Sequence, residues 1–180
     1  HLAVLGALAP VLPLHVVAQG ASEGQWGLLG GLAGLVMIFT EPVWGWLGDR
    51  VGLRCTFLVS RVGQALGLVM LLFWPGLLPI VLWQVVSGLL DPTIGVLARG
   101  YVVRSYRPAR QTFGLSLYLV VYSSSLAFGS TVGGYLYQQA GTQAVFLFTT
   151  LLGALGLGAA LALVEPPPFP APQEAPGAVQ

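Results

Sequence analysis

Six long apolar runs, separated by short polar breaks, account for nearly the whole chain. A helix needs about 20 apolar residues to cross the hydrocarbon of a bilayer, and runs of that order fall at about 2–18, 25–47, 54–73, 77–99, 112–136 and 142–164. The breaks are brief, such as "WPG" after Phe73 and "QQAGT" near Gln139. The pattern predicts an all-α, polytopic membrane protein with six transmembrane helices. The first run is followed by "VVAQGA", which resembles a signal-peptide cleavage site. No basic segment precedes it, however, and five more spans follow, so it reads as a span.

Composition supports the same assignment. Hydrophobic residues make up 56% of the 180 and charged residues 7%, and mean hydropathy is +0.82. A soluble globule carries about a quarter charged residues to cover its surface, so this chain belongs in lipid. A net charge of +1 supplies no electrostatic footprint for nucleic acid, which is excluded as a partner. A single cysteine, Cys55, rules out an internal disulfide and a multi-cysteine metal site, and no metal or cofactor is expected. Lysine is absent, and the Gly-, Ala-, Pro- and Arg-rich usage suggests a GC-rich, bacterial genome.

The arginines orient the spans. Arg50 and Arg54 flank the 2–3 connection, and Arg99, Arg104, Arg107 and Arg110 flank or lie in the 4–5 connection, whereas the other three connections have none. The positive-inside rule places these two loops, and with them both termini, in the cytoplasm, with a bacterial inner membrane as the expected location. Residues 165–180, "EPPPFPAPQEAPGAVQ", are proline-rich without apolar period and read as an extended cytoplasmic linker. The chain starts inside an apolar run without Met and ends in this linker, so it is expected to be a piece of a longer polypeptide.

Three charges fall inside spans. Glu41 precedes Asp49 by eight residues, Arg61 follows Arg54 by seven and Asp91 precedes Arg99 by eight. At 1.5 Å per residue each lies about 10–12 Å inside the cytoplasmic boundary. Arg61 is expected to pair with Glu41, its partner on the sequence-adjacent span, leaving Asp91 to take up and release a proton. The alternative has Arg61 snorkelling to the headgroups.

Asp91 belongs to a polar stripe on span four with Gln84, Ser87, Gly88 and Gly95, which should face the bundle interior or a water-filled cavity. On span five, Ser125, Gly129 and Gly133 recur every four residues as a helix-packing ridge. Tyr118 and Tyr122 continue that face and are candidates for lining a cavity, since a phenol in lipid needs a hydroxyl partner. His15 near the outer end of span one, after Pro10 and Pro13, reads as hydrogen-bonded at the interface, and the prolines as bends.

The most distinctive segment is "GWLGDRVGLR", Gly45 to Arg54. Gly45, Asp49, Arg50, Gly52 and Arg54 match a spacing of Gly, three residues, Asp-Arg, one residue, Gly and two basic positions, with Leu53 at the first of these. This resembles the 2–3 loop of the amino-terminal half of major facilitator superfamily transporters, and Pro42 is also common there. Physically, Gly52 permits a tight turn, Gly45 permits close approach of a neighbouring helix, and Asp49 can pair with Arg50 or Arg54 or face a helix amino terminus. The resemblance implies that the cluster gates or latches the cytoplasmic side.

In span five, "FGSTVGGYL" is similar to the family's antiporter signature at Gly129, Gly133 and Gly134, with Ser130 where proline is expected. In span four, Gln84 stands where the family has an arginine, four residues before Gly88. The resemblance implies one half of an alternating-access secondary transporter, with a small-molecule substrate, protons, the bilayer and a missing carboxy-terminal six-helix half as partners. Proton-coupled efflux of amphipathic compounds is the first expectation, uptake of a sugar, organic acid or amino acid the second, and a half-size or non-transporting membrane partner the third. An enzyme is not expected. An intramembrane serine protease needs a histidine in a late span, and His1 and His15 both lie in or before span one; Asp49 lacks the Gly-x-Gly-Asp context of an aspartyl one.

Overall fold

The structure, a computed structural model, describes residues 1–74 and 76–164; the linker at 165–180 lies outside them. The described residues form helices α1 (Leu2–Ala18), α2 (Glu23–Val51), α3 (Leu53–Phe73), α4 (Leu77–Leu90), α5 (Pro92–Ser105) and α6 (Gln111–Leu161), with one 3₁₀ turn at Pro108–Arg110. Among the described residues, four stretches are long and apolar enough to cross a membrane: Glu23–Val51, Leu53–Phe73, Leu77–Ser105 and Pro108–Leu161; Leu2–Ala18 is shorter.

Two features relate these elements to the six apolar runs. α4 and α5 follow one another across Asp91 and act as one pass. α6 is not straight, because Gly141 has φ +75° and ψ −174°, outside the helical region and open to glycine. Packing against α1 shows that the chain reverses there. Gly129 meets Ala3 and Gly133 meets Ala7, so residues 111–140 run with α1. Beyond the kink, Thr142 bonds His15 whereas Gly156 lies beside His1, so residues 142–161 run against it.

Local chemistry sets the ends. α2 starts in a capping box: Ser22 Oγ accepts from the Gln25 N–H at 3.2 Å, and Gln25 Oε1 accepts from the Ser22 N–H at 2.8 Å. It ends at Gly52, whose φ of +102° turns the chain directly into α3. Helices outrun the apolar runs at both ends of α2, and α5 continues to Ser105. Backbone hydrogen bonding propagates past the last apolar residue, and arginines at the final turns suit the helix dipole.

α1 packs chiefly along both arms of α6. Its Val4, Ala7, Leu8, Val11, Leu12 and Val16 share one buried core with Leu68 and Leu71 of α3, Ile80 and Trp83 of α4, and Val145 and Phe146 of α6. α2 lies outermost; Gly48 is its one buried residue, and Leu28, Ile38 and Phe39 stand on the surface. Apolar side chains on the outside and polar ones within are the arrangement that lipid favours.

Candidate functional site: a broken helix beside a buried polar cluster

Span four is interrupted at Asp91–Pro92. Proline has no N–H, so the Gly88 carbonyl loses its partner four residues on, and the ring crowds that carbonyl outward. Ile94 donates its N–H to the Asp91 carbonyl, three residues back, at 3.0 Å. Side chains take up the exposed carbonyls. Thr40 Oγ1 donates to Gly88 at 3.3 Å, sharing its hydroxyl with Met37. The Trp44 indole N–H donates to Leu89 at 2.6 Å, and Thr93 Oγ1 donates to Leu90 at 2.6 Å. Within a membrane, breaks survive only when neighbours satisfy the backbone in this way. α2 can reach because Gly88 has no side chain: a Cβ there would lie 2.7 Å from the Ala33 carbonyl oxygen.

The break presents Asp91 to α3. Gln64 Nε2 donates to Asp91 Oδ1, and the His1 Nε2 lies 3.2 Å from the same oxygen. One turn away on α3, Arg61 is 4% exposed. Its Nη2 donates to Thr93 Oγ1 at 3.1 Å and to Ser60 Oγ at 3.3 Å, and its guanidinium lies 4.9 Å from the Phe57 ring centre. No ion pair within 4 Å joins Arg61 to Asp91 among the described residues. Among those residues Arg61 Nη1 and Gln64 Oε1 are buried without a hydrogen-bond partner. The cluster thus holds a carboxylate, a guanidinium and spare donor and acceptor capacity inside an apolar bundle.

The expected Glu41–Arg61 pair does not form. Glu41 lies between Thr40 and Trp44, level with the break, but on the exposed face of α2. Helix rotation, which sequence adjacency does not specify, turns it away. Arg61 does not snorkel either, because Ser60 and Thr93 hold it inward.

In the 2–3 loop, Asp49 pairs with neither Arg50 nor Arg54. Its Oδ1 accepts from Arg104 Nη2 of α5 at 2.7 Å. Arg50 stacks over Trp46 at 4.5 Å, and Arg54 donates to the Leu161 carbonyl at 3.0 Å. Close approach occurs at Gly48 rather than Gly45. A Cβ at Gly48 would meet Leu97 Cδ2 at 2.6 Å, whereas at Gly45 it would make ordinary contact with Val96 at 3.5 Å. Leu53 is buried, 5% exposed, and fills the space beside Gly48 and Gly100. That packing accounts for an apolar residue at a position where the matching spacing has a basic one.

On span five, a Cβ at Gly129 would collide with the Ala3 backbone, and one at Gly133 would lie 2.6 Å from Ala7 Cα. Gly134 is different: nothing lies within 4 Å of its Cβ position, so it takes no part in this packing. Ser130 donates to the Gly6 carbonyl at 3.0 Å, a bond that proline could not make. Ser125, one turn before Gly129, is half-buried. Tyr118 donates to Ile94 O at 3.4 Å and lines a cavity of about 200 Å³ with Arg54, Phe57, Leu97 and Tyr101. The Tyr122 ring lies 6.1 Å from that of Tyr118. Ser87 is buried and bonds the Gln84 carbonyl, Gln84 is half-buried, and the Cβ position of Gly95 faces open space. His15 bridges Thr142 at 2.9 Å and Gln19 at 2.8 Å.

The sequence reading missed Gln64, Thr93, Thr40 and Trp44. The Asp91-Pro92 dipeptide inside an apolar run was the available signal, since an intramembrane proline requires donors from a neighbouring helix.

Long apolar helices with an arginine-rich end and a buried polar cluster define a multi-pass membrane protein. The chain belongs to the Major Facilitator Superfamily, whose family model matches residues 2–179. It is 30% identical over 143 residues to the Tetracenomycin C resistance and export protein of Streptomyces glaucescens, covering 79% of this chain and 26% of that protein. It is 29% identical over 149 residues to the Probable multidrug resistance protein EmrY of Escherichia coli (strain K12), covering 81% and 28% respectively. The matched stretch spans little more than a quarter of each relative.

Proposed function

We propose that the chain is a six-helix half of a secondary transporter that expels amphipathic small molecules in exchange for protons. The observation that carries the proton part is the carboxylate of Asp91, held at a helix break inside the bundle, bonded by Gln64 and facing the fixed charge of Arg61. A carboxylate in that position takes up a proton when the site opens to the acidic side and gives it up on the other, and its charge change alters the pull of Arg61 on α4 and α5. The export reading draws on similarity to two proteins named for resistance and export. It is also in keeping with a cavity whose lining, Arg54 apart, is apolar and aromatic. Alternating access requires a second six-helix half, which we take to be the chain's partner. The arginine-rich end faces the cytoplasm of a bacterial inner membrane.

The test is efflux of ethidium from cells and uptake into everted vesicles energised by a proton gradient, using the full-length protein and Asp91→Asn. Gradient-driven uptake should disappear in the variant while ethidium still binds. Uptake that persists unchanged would sink Asp91 as the carrier.

A further inference from the structure

We propose that Trp44, with Thr40 one turn earlier on α2, is a positioning residue for Asp91: their donors hold the break in span four so that its carboxylate stays turned toward Gln64 and Arg61. The proposal rests on the reading of Asp91 as proton carrier and extends it to a helix that does not itself touch the carboxylate.

Three observations support it. Pro92 leaves the Gly88 carbonyl without a backbone donor, and Thr40 Oγ1 supplies one from 48 residues away in sequence. Trp44 donates at 2.6 Å to the next carbonyl, Leu89, two residues before Asp91. Gly88 lies directly against the Ala33 backbone, so α2 is close-packed at the break and its donors meet the carbonyls without bridging space. The indole and the hydroxyl therefore fix the last turn of α4, and Asp91 is the residue that follows it. On the opposite side of the break, Thr93 ties α5 to Ser60 and Arg61 of α3. Asp91 is thus suspended between a clamp from α2 and a polar network on α3.

The groups able to influence its charge can be named helix by helix. Beside α1, the His1 imidazole lies 3.2 Å away. α3 contributes Arg61, α2 the exposed Glu41, α5 the exposed Arg99, and α6 Tyr118, whose hydroxyl donates to the Ile94 carbonyl. Neither Trp44 nor Thr40 titrates, so any effect they have on the pH dependence must act through the position of Asp91.

The experiment measures proton-driven ethidium uptake against pH for the full-length protein, for Thr40→Val/Trp44→Phe, for Pro92→Ala, and for all three substitutions together. Removing both donors should slow uptake about ten-fold, as expected for an unsatisfied carbonyl in an apolar setting, and should displace the pH at which uptake is half-maximal. Pro92→Ala restores a backbone N–H for the Gly88 carbonyl that Thr40 serves, so in that background the same two substitutions should cost less, the remainder being the Trp44 bond to Leu89. Trp44→His, which keeps a ring N–H, should retain more uptake than Trp44→Phe, and this comparison serves if the double variant fails to fold. An unmoved pH midpoint, or an equal cost with and without Pro92, would overturn the clamp and leave Asp91 standing as carrier. Unchanged gradient-driven uptake in Asp91→Asn would overturn the carrier reading, and the clamp's role with it.

Discussion

Two adjacent glycines on span five should respond in opposite ways to the same substitution. In Gly133→Ala the new methyl would lie 2.6 Å from Ala7 Cα and 2.9 Å from Ala7 Cβ. Carbon atoms rest at about 3.5–4.0 Å, so α1 would have to retreat by about 1 Å. It cannot do so freely, because Ala7 is fully buried and its neighbours Val4, Leu8 and Val11 fill the core against Leu68 and Phe146. Overpacking of this kind costs about 1–3 kcal/mol. In Gly134→Ala the methyl meets nothing within 4 Å. The helix then gains from losing a glycine, by up to about 1 kcal/mol. The assay is reversible unfolding of the purified protein by sodium dodecyl sulfate in mixed micelles, followed by circular dichroism. Gly133→Ala should lower the midpoint and Gly134→Ala should leave it unchanged or raise it. Equal destabilisation by both, or an unaffected Gly133→Ala, would refute the packing of α1 against span five.

Two further outcomes follow from the arginine-rich end. Asp49→Asn should cost no more than about 1 kcal/mol in the same titration, since its carboxylate is 71% exposed and well screened; added salt should shrink the difference further, and a large salt-independent loss would contradict a screened pair. Cys55, exposed at the start of α3, should react with a membrane-impermeant maleimide in everted vesicles and not in intact cells. The reverse labelling pattern would invert the topology proposed from the arginines.

Asp91 and Arg61 illustrate how much of the site was legible. Their shared depth follows from counting residues to the loop arginines, and the structure sets Gln64 against Asp91 and Arg61 against Thr93. Glu41 has the same depth by the same count, yet it faces outward. Depth is a one-dimensional quantity that sequence carries, whereas the rotation of a helix about its axis depends on which neighbours it packs against. The apolar residues of α2 are spread around its axis rather than gathered on one face, so its own pattern does not reveal its inward face. Gly133 and Gly134 differ for the same reason: the small-residue repeat marks the ridge, but contact with Ala7 decides which glycine belongs to it. The Asp49 partner was missed because Arg104 is 55 residues away in sequence, brought near by the continuation of α5 beyond its apolar run.

That the protein is helical, that it lives in lipid and which end collects the arginines were legible in the amino-acid pattern. These properties follow from local hydrophobicity and charge, which the bilayer reads segment by segment. That α1 packs along both arms of α6, that the chain reverses at Gly141, that Arg61 turns to Thr93, and that α2 supplies the donor Pro92 lacks emerge from the packed bundle. Those depend on which helices touch and through which faces. Between apolar helices in an apolar solvent, that choice is made by close-packed glycines and a few hydrogen bonds rather than by the hydrophobic pattern.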